Sequence, residues 1–173
     1  IEDGSKISTL FGSISFKIAD GSNLTNKPYI IYKTTQLNNQ IEYLIEITKN
    51  TPITTTEALI VKILQIEAKV ILKNRVEYYS NLLNLKYNKL FFKNNKTNWG
   101  SCSSANNINL NIHLLRIPQQ LCDYVILHEL CHLEIKNHGP LFHKKLNSLC
   151  NHREKELSKD LKKYSTAITI EYK

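Results

Sequence analysis

Residues 128–132 read His-Glu-Leu-Cys-His, an HExxH sequence. The segment that contains it follows Pro118 and carries leucine and valine at helical spacing, which predicts a helix. Residues four apart lie on one face of a helix, so His128 and His132 can project toward one metal ion. Glu129 lies about 100° further round and can reach a water molecule at the metal without being a ligand.

A third histidine, His138, follows six residues after His132 and directly precedes Gly139-Pro140. We expect Gly-Pro to end the helix and turn the chain back, which brings His138 toward the same ion. Three neutral imidazoles that leave one coordination position open are typical of catalytic zinc. The alternative, a closed structural site with Cys131 as fourth ligand, is disfavoured because that thiol points away from the histidine face. One zinc ion per chain is therefore expected, with Glu129 as general base.

The segment before this helix alternates from Ile108 to Leu114, which predicts a half-buried strand with one polar face. An extended peptide could pair with such a strand. The polar face and the turn that precedes the strand supply the candidate residues of a substrate cleft: Asn109, Asn111, His113 and Trp99.

Five other regions have a periodicity that predicts secondary structure. Residues 6–48 are β-rich and predict a small antiparallel sheet with a turn at residues 20–21. At Thr54 the period becomes helical, and no Gly or Pro interrupts it until well past residue 84, which predicts one helix of about 30 residues. The sequence pattern predicts two further helices, at residues 140–150 and 151–163. Alternation at residues 168–172 predicts one more strand.

The composition is that of an ordinary globular protein, with 42% apolar and 22% charged residues, which excludes collagen-like, coiled-coil and disordered chains. No apolar run approaches the roughly 20 residues that cross a bilayer, so no membrane partner is expected. Four isolated cysteines without a CxxC pair indicate a reducing compartment and predict a cytoplasmic protein. Nothing in the sequence indicates an oligomeric state.

The net charge is +8, from 23 basic and 15 acidic residues. Residues 78–122 contain no acidic side chain, which favours an anionic partner such as a nucleic acid or a nucleotide. A lysine-, asparagine- and isoleucine-rich composition also follows from A/T-rich codons, so the charge has a second explanation.

Several short sequence motifs together resemble one known family. Residues 97–103 read TNWGSCS, residues 109–111 read NLN, and Asp-Tyr-Val at 123–125 leads into HELCHL and then Asn137-His138. This order and spacing resemble the YgjP-like metallopeptidase family over about residues 57–163. Two positions depart from the family pattern: Asn98 stands where Arg is usual, and His143 stands where an aromatic residue is usual.

The resemblance implies an α+β, zincin-like metallopeptidase core with a long N-terminal helix, a mixed or antiparallel sheet and an HExxH active-site helix, preceded by a small β-rich segment. It places a metallopeptidase domain at residues 53–165, with an N-terminal segment at 1–52 that forms one compact unit with it and a tail at 166–173. It also implies zinc held by His128, His132 and His138, and a distant relation to SprT-like proteases.

Three functions follow as hypotheses. The first is a zinc metallopeptidase that acts on a peptide or protein, which the extended polar strand favours. The second is a zinc hydrolase of phosphoanhydride bonds in nucleotides, which the acid-free stretch at 78–122 favours, since activated water does not itself select a bond. The third is a non-catalytic, basic protein that associates with nucleic acid and keeps zinc as part of its fold.

Overall fold

The structure is a computed structural model, and it describes residues 2–19, 24 and 28–168. It divides the chain into two compact units, of which the first extends to Ile63 and the second comprises Leu64–Ala167. The predicted turn at residues 20–21 and most of the predicted strand at 168–172 lie outside the described residues. The elements of the described part, in order, are β1 (Lys6–Thr9), β2 (Gly12–Ile18), β3 (Tyr29–Thr35), β4 (Ile41–Ile47), α1 (Ile53–Leu82), β5 (Leu90–Lys93), β6 (Gly100–Cys102), β7 (Ile108–Asn111), a 3₁₀ helix (Ile112–Arg116), α2 (Gln119–Cys131), α3 (Pro140–Leu149) and α4 (Glu154–Leu161).

The first unit contains a four-stranded sheet in the order β1-β2-β4-β3 within the described residues. β1 with β2 and β3 with β4 are antiparallel, whereas β2 and β4 are parallel, with Ile14 opposite Tyr43. The prediction of a purely antiparallel sheet is therefore corrected in its central pair. The β3–β4 hairpin places its second strand beside β2, and β4 consequently runs in the direction of β2.

Helix α1 confirms the predicted helix of 30 residues and begins at Ile53. In the second unit its apolar residues recur every four positions at Leu64, Ala68, Leu72 and Val76, all fully buried. Arg75 lies on the same helix and makes two hydrogen bonds of 2.5 Å, from Nε and Nη2, to the carboxylate of Asp123 on α2. This bidentate, half-buried pair ties the first turns of α2 to α1.

A three-stranded sheet in the order β5-β7-β6 precedes α2 in the second unit. β7 lies in the centre, parallel to β5 and antiparallel to β6. The predicted strand through Leu114 is shorter in the structure, because the chain leaves the sheet at Asn111 and turns into the 3₁₀ helix. The predicted domain bounds at residues 52, 53 and 165 stay a prediction.

Helices α2, α3 and α4 pack on one another through buried apolar side chains, among them Leu130, Phe142, Leu146 and Leu157. The last helix begins at Glu154, three residues later than predicted, because Asn151 has a φ of 52° and cannot take the extended backbone of an N-cap. No helix in the described part of the chain is both long and apolar enough to cross a membrane.

Candidate metal centre

Three imidazoles converge at the end of α2. The Nε2 atoms of His128 and His132 are 3.2 Å apart, and that of His138 lies 3.0 Å from the first and 3.1 Å from the second. Three nitrogens this close together can all reach one ion at the bond length of about 2.0–2.1 Å that zinc makes with imidazole. The donor set therefore fits a zinc ion.

Local structure brings His138 to the other two histidines. Helix α2 ends at Cys131, and residues 132–138 form the turn that reverses the chain. Gly139 and Pro140 begin α3 rather than end α2, which corrects the expected position of the helix end. The ring of His132 is oriented from its other side, because Nδ1 lies 3.0 Å from the carbonyl oxygen of Ile135 and can donate to it.

Phe142 packs behind the three histidines and is fully buried. Its ring centroid lies 4.5 Å from that of His132, 4.7 Å from that of His138 and 4.9 Å from that of His128. Sequence reasoning missed this role, although Phe142 follows His138 by one helical turn at the start of a predicted helix. The packed ring fixes the imidazole orientations and excludes water from one side of the centre.

Burial keeps the imidazoles of His128 and His132 neutral. Burial, followed by the neighbouring imidazoles of His132 and His138, lowers the pKa of His128 to about 4. Burial also lowers the pKa of His132. Neutral imidazole is the form that binds a metal ion, so these residues are competent ligands at neutral pH.

Glu129 lies beside the histidines, and only 5% of its surface is exposed. Its Oε2 atom is buried without a hydrogen-bond partner among the described residues. Burial raises the pKa of this carboxyl to about 8, because a charged carboxylate loses hydration there. A divalent cation held by the histidines opposes that shift by favouring the ionised form.

Gly100, on β6, is the backbone neighbour of this carboxyl. A Cβ atom at position 100 would lie 2.7 Å from Oε1 and 2.8 Å from Cγ of Glu129. The carboxyl therefore occupies space that only glycine leaves open. The motif at residues 97–103 contains Gly100, but no local pattern indicates this contact, because it joins residues 29 positions apart.

The cysteines lie outside the centre. Cys102, Cys122, Cys131 and Cys150 are all free thiols, and Cys131 is fully buried, as expected for a core residue. Burial raises the pKa of Cys131 to about 11, which disfavours the thiolate that a metal requires. The cytoplasmic location inferred from these cysteines stays a prediction.

A cavity of about 290 Å³ opens beside His128 and Glu129. Trp99, one of the predicted cleft residues, lines it together with Tyr124 and Gly100. The contact of Trp99 with a substrate stays a prediction.

The other three predicted cleft residues lie elsewhere. Asn111 is fully buried and donates hydrogen bonds of 2.8 Å to the carbonyl oxygens of Asn95 and Asn98. Asn109 donates to Ser101 Oγ, at 3.2 Å, on the adjacent strand. None of the three lines the cavity. Loop 94–99 covers Asn111 and His113, although local alternation marks that face of the strand as solvent-exposed.

His113 is buried by the same loop and is 2% exposed. Its Nε2 atom lies 2.9 Å from Asn94 Oδ1, and its Nδ1 atom lies 3.0 Å from Arg116 Nη1. Arg116 must donate, so Nδ1 accepts and Nε2 carries the proton. Burial, followed by the positive charge of Arg116, lowers the pKa of His113 to about 4.

We expect His113 to make the protein less stable in mild acid. Between pH 6.5 and about 4 the unfolded chain binds a proton on this histidine and the folded chain does not, so the free energy of unfolding falls as the pH falls. His113→Gln keeps one donor and one acceptor but does not titrate. Urea unfolding from pH 7 to pH 4 should show a loss about 2 kcal/mol smaller in this variant than in the wild type. Equal pH dependence in the two proteins would contradict the neutral, buried state.

The strand that was expected to pair with a substrate is also placed differently. β7 is hydrogen-bonded to a neighbour on each side, so it has no free edge. β6, which carries Gly100, is at the edge of its sheet in the described part of the chain. The strand next to Glu129 that could accept an extended peptide is therefore β6.

Comparison with known proteins decides the family. Residues 12–164 match the family described as "YgjP-like, metallopeptidase domain". The chain belongs to this family. Membership confirms the resemblance seen in the sequence and the predicted enzyme class, a zinc metallopeptidase. Nothing in the fold or the family favours nucleotide hydrolysis or a non-catalytic nucleic-acid-binding role.

Two solved archaeal structures are similar to this YgjP-like chain. The metallopeptidase zymogen of Pyrococcus abyssi abylysin is 20% identical, with 53% of this chain and 92% of that chain covered and a TM-score of 0.46. The metallopeptidase zymogen of Methanocaldococcus jannaschii jannalysin is 28% identical, with 51% and 95% covered and a TM-score of 0.42. No curated protein matches the chain.

The two departures from the family pattern have different surroundings. Asn98 contributes its backbone carbonyl to the hydrogen bond with Asn111. The side chain of His143 is 54% exposed, and its Nδ1 atom lies 2.5 Å from Glu154 Oε1. His143 therefore joins α3 to α4.

Proposed function

We propose that this metallopeptidase hydrolyses peptide bonds with one zinc ion per chain, held by His128, His132 and His138, and with Glu129 as general base. The observation that carries the proposal is the triangle of Nε2 atoms, 3.0–3.2 Å on each side, beside a buried carboxyl with one unpaired oxygen. A buried, unpaired carboxyl costs stability and is typical of a functional site.

The roles of the residues follow from their positions. When bound, zinc supplies a Lewis acid that polarises a carbonyl group and makes water more acidic. Glu129 accepts a proton from the attacking water and delivers it to the departing amine nitrogen. Gly100 leaves the room that the carboxyl needs, and Phe142 excludes bulk water from behind the imidazoles.

The substrate backbone would lie along β6. An extended peptide paired with this edge strand passes beside Gly100 and Glu129. Its scissile carbonyl then meets the carboxyl and the imidazoles from the side where the cavity opens. This arrangement supports a peptide or protein as substrate.

Metal content tests the proposal. Protein purified without chelator should contain about one zinc per chain by elemental analysis, and His138→Ala should retain well under half of that, because two imidazoles hold zinc more weakly than three. His152→Asn is the matched control, since His152 is exposed with a φ of 61°, which asparagine tolerates, and it should keep the full zinc content. Zinc that is absent after reconstitution, or unchanged in His138→Ala, would refute this ligand set.

A further inference from the structure

The cavity beside the metal centre has mainly apolar walls. Apart from the site residues, its large side chains come from loop 94–99, α2, α4 and the segment that follows α4. The aromatic and aliphatic ones are Trp99, Tyr124, Val125, Leu161 and Tyr164, and Lys162 lies at the wall with them. A cavity of about 290 Å³ with aromatic and aliphatic walls favours a large apolar side chain over a small or charged one.

A second cavity, of about 440 Å³, adjoins the first between α3 and α4. The two cavities share Ser158 and Lys162 as lining residues. Lys155 and Lys159 line the second cavity as well. A ligand that fills the first cavity and extends past Lys162 therefore enters the second.

Lys155, Lys159 and Lys162 form one row, because spacings of four and three residues place side chains on the same helix face. We call them the α4 lysine row. No carboxylate among the described residues 2–19, 24 and 28–168 forms a salt bridge with any of the three. The nearby Glu154 is already paired with His143 at 2.5 Å. The three lysines therefore lie outside the described salt bridges, although Glu154 also lines the second cavity and Asp160, which pairs with Lys163, interacts electrostatically with Lys159.

We infer that the preferred substrate is a peptide that places a large apolar side chain in the first cavity and acidic residues along the α4 lysine row. This inference rests on the proposed function and specifies its substrate class. The apolar cavity lies against His128 and Glu129, so the residue that fills it flanks the cleaved bond. The lysine row begins at the wall of that cavity, so the acidic residues lie on one side of the apolar residue only.

A panel of internally quenched peptides on a fixed Gly-Ser-Ala background tests this substrate preference. The central residue is Phe, Leu or Ala, and three Asp or three Lys residues flank it on one side or the other. Zinc-loaded protein should cleave next to Phe or Leu at least about tenfold better than next to Ala, measured as kcat/KM. Asp on one side should raise kcat/KM about fivefold over Lys, and added salt should weaken that preference.

Lysine variants test the preference for Asp separately from the preference for Phe or Leu. Lys159→Gln with Lys162→Gln should remove the preference for Asp and keep the preference for Phe or Leu. Lys86→Gln is the matched control, because Lys86 is exposed and lines neither cavity, and it should keep both preferences.

The peptide assay distinguishes a wrong substrate preference from a wrong proposed function. Equal cleavage of the apolar and Ala peptides, or no preference for Asp, would overturn the inference and leave the peptidase intact. Inhibition by a short single-stranded oligonucleotide, relieved by the lysine variants in the absence of any Asp preference, would assign the row to nucleic acid and also overturn it. Failure to cleave any peptide or unfolded casein would refute the proposed function itself.

Discussion

Glu129→Gln is expected to lower kcat/KM for peptide cleavage by about 10²–10⁴-fold while the zinc content stays the same. The amide has the shape of the carboxyl but cannot accept a proton from water. The three imidazoles form the candidate ligand cluster without Glu129, so its replacement leaves the donor set complete. The comparison needs steady-state kinetics and elemental analysis on the same preparations.

Glu134→Gln is the matched control for this variant. Glu134 lies in the turn between α2 and α3, with a half-exposed side chain paired to Lys145. The same change there should leave kcat/KM within a small factor of the wild type. A Glu129→Gln protein with full activity would remove the general base from the mechanism, and one that has lost zinc would show that the residue holds the metal.

Gly100→Ala should lower kcat/KM by about 10²-fold and leave zinc bound. The new Cβ would lie 2.7–3.0 Å from Oε1, Cγ and Cδ of Glu129, so the carboxyl must move. The side chain of Glu129 is nearly fully buried, and its Cγ as well as its carboxyl group would be displaced. A displacement of about 1 Å at a catalytic group costs about this factor.

Gly139→Ala is the control for Gly100→Ala. A Cβ at position 139 would meet nothing within 4 Å, and the φ of −82° suits any residue. This variant, which is next to a candidate ligand, should keep nearly full activity and zinc. Equal activity in the two alanine variants would show that Glu129 has more room than its contacts with Gly100 indicate.

Several features were predictable because they depend on neighbours in sequence. Helix α1 was predicted in its start near Thr54 and in its length of about 30 residues, since its period continues without Gly or Pro. The convergence of His128 and His132 follows from the helical repeat alone. His138 was predicted from its spacing, although the turn that places it starts at His132 rather than at Gly139.

Other features were not predictable because they depend on strand order. Alternation marked Asn111 and His113 as solvent-facing, but loop 94–99 covers that face and takes up their hydrogen bonds. The central position of β7 follows from its pairing with β5 and β6, two segments on opposite sides of loop 94–99 in sequence. The parallel pair of β2 and β4 likewise depends on where the β3–β4 hairpin docks.

Local sequence patterns predict the chemistry: three imidazoles and one carboxyl lie at spacings that a helix and a turn convert into a candidate metal centre. Helical periodicity is local, so those four residues could be assigned before any fold was known. The surroundings of these four residues depend on the tertiary structure. The edge strand β6, the glycine against Glu129, Phe142 behind the histidines and the α4 lysine row beside the cavity all arise from contacts between distant segments. Such contacts depend on strand order and helix packing, which no local period encodes.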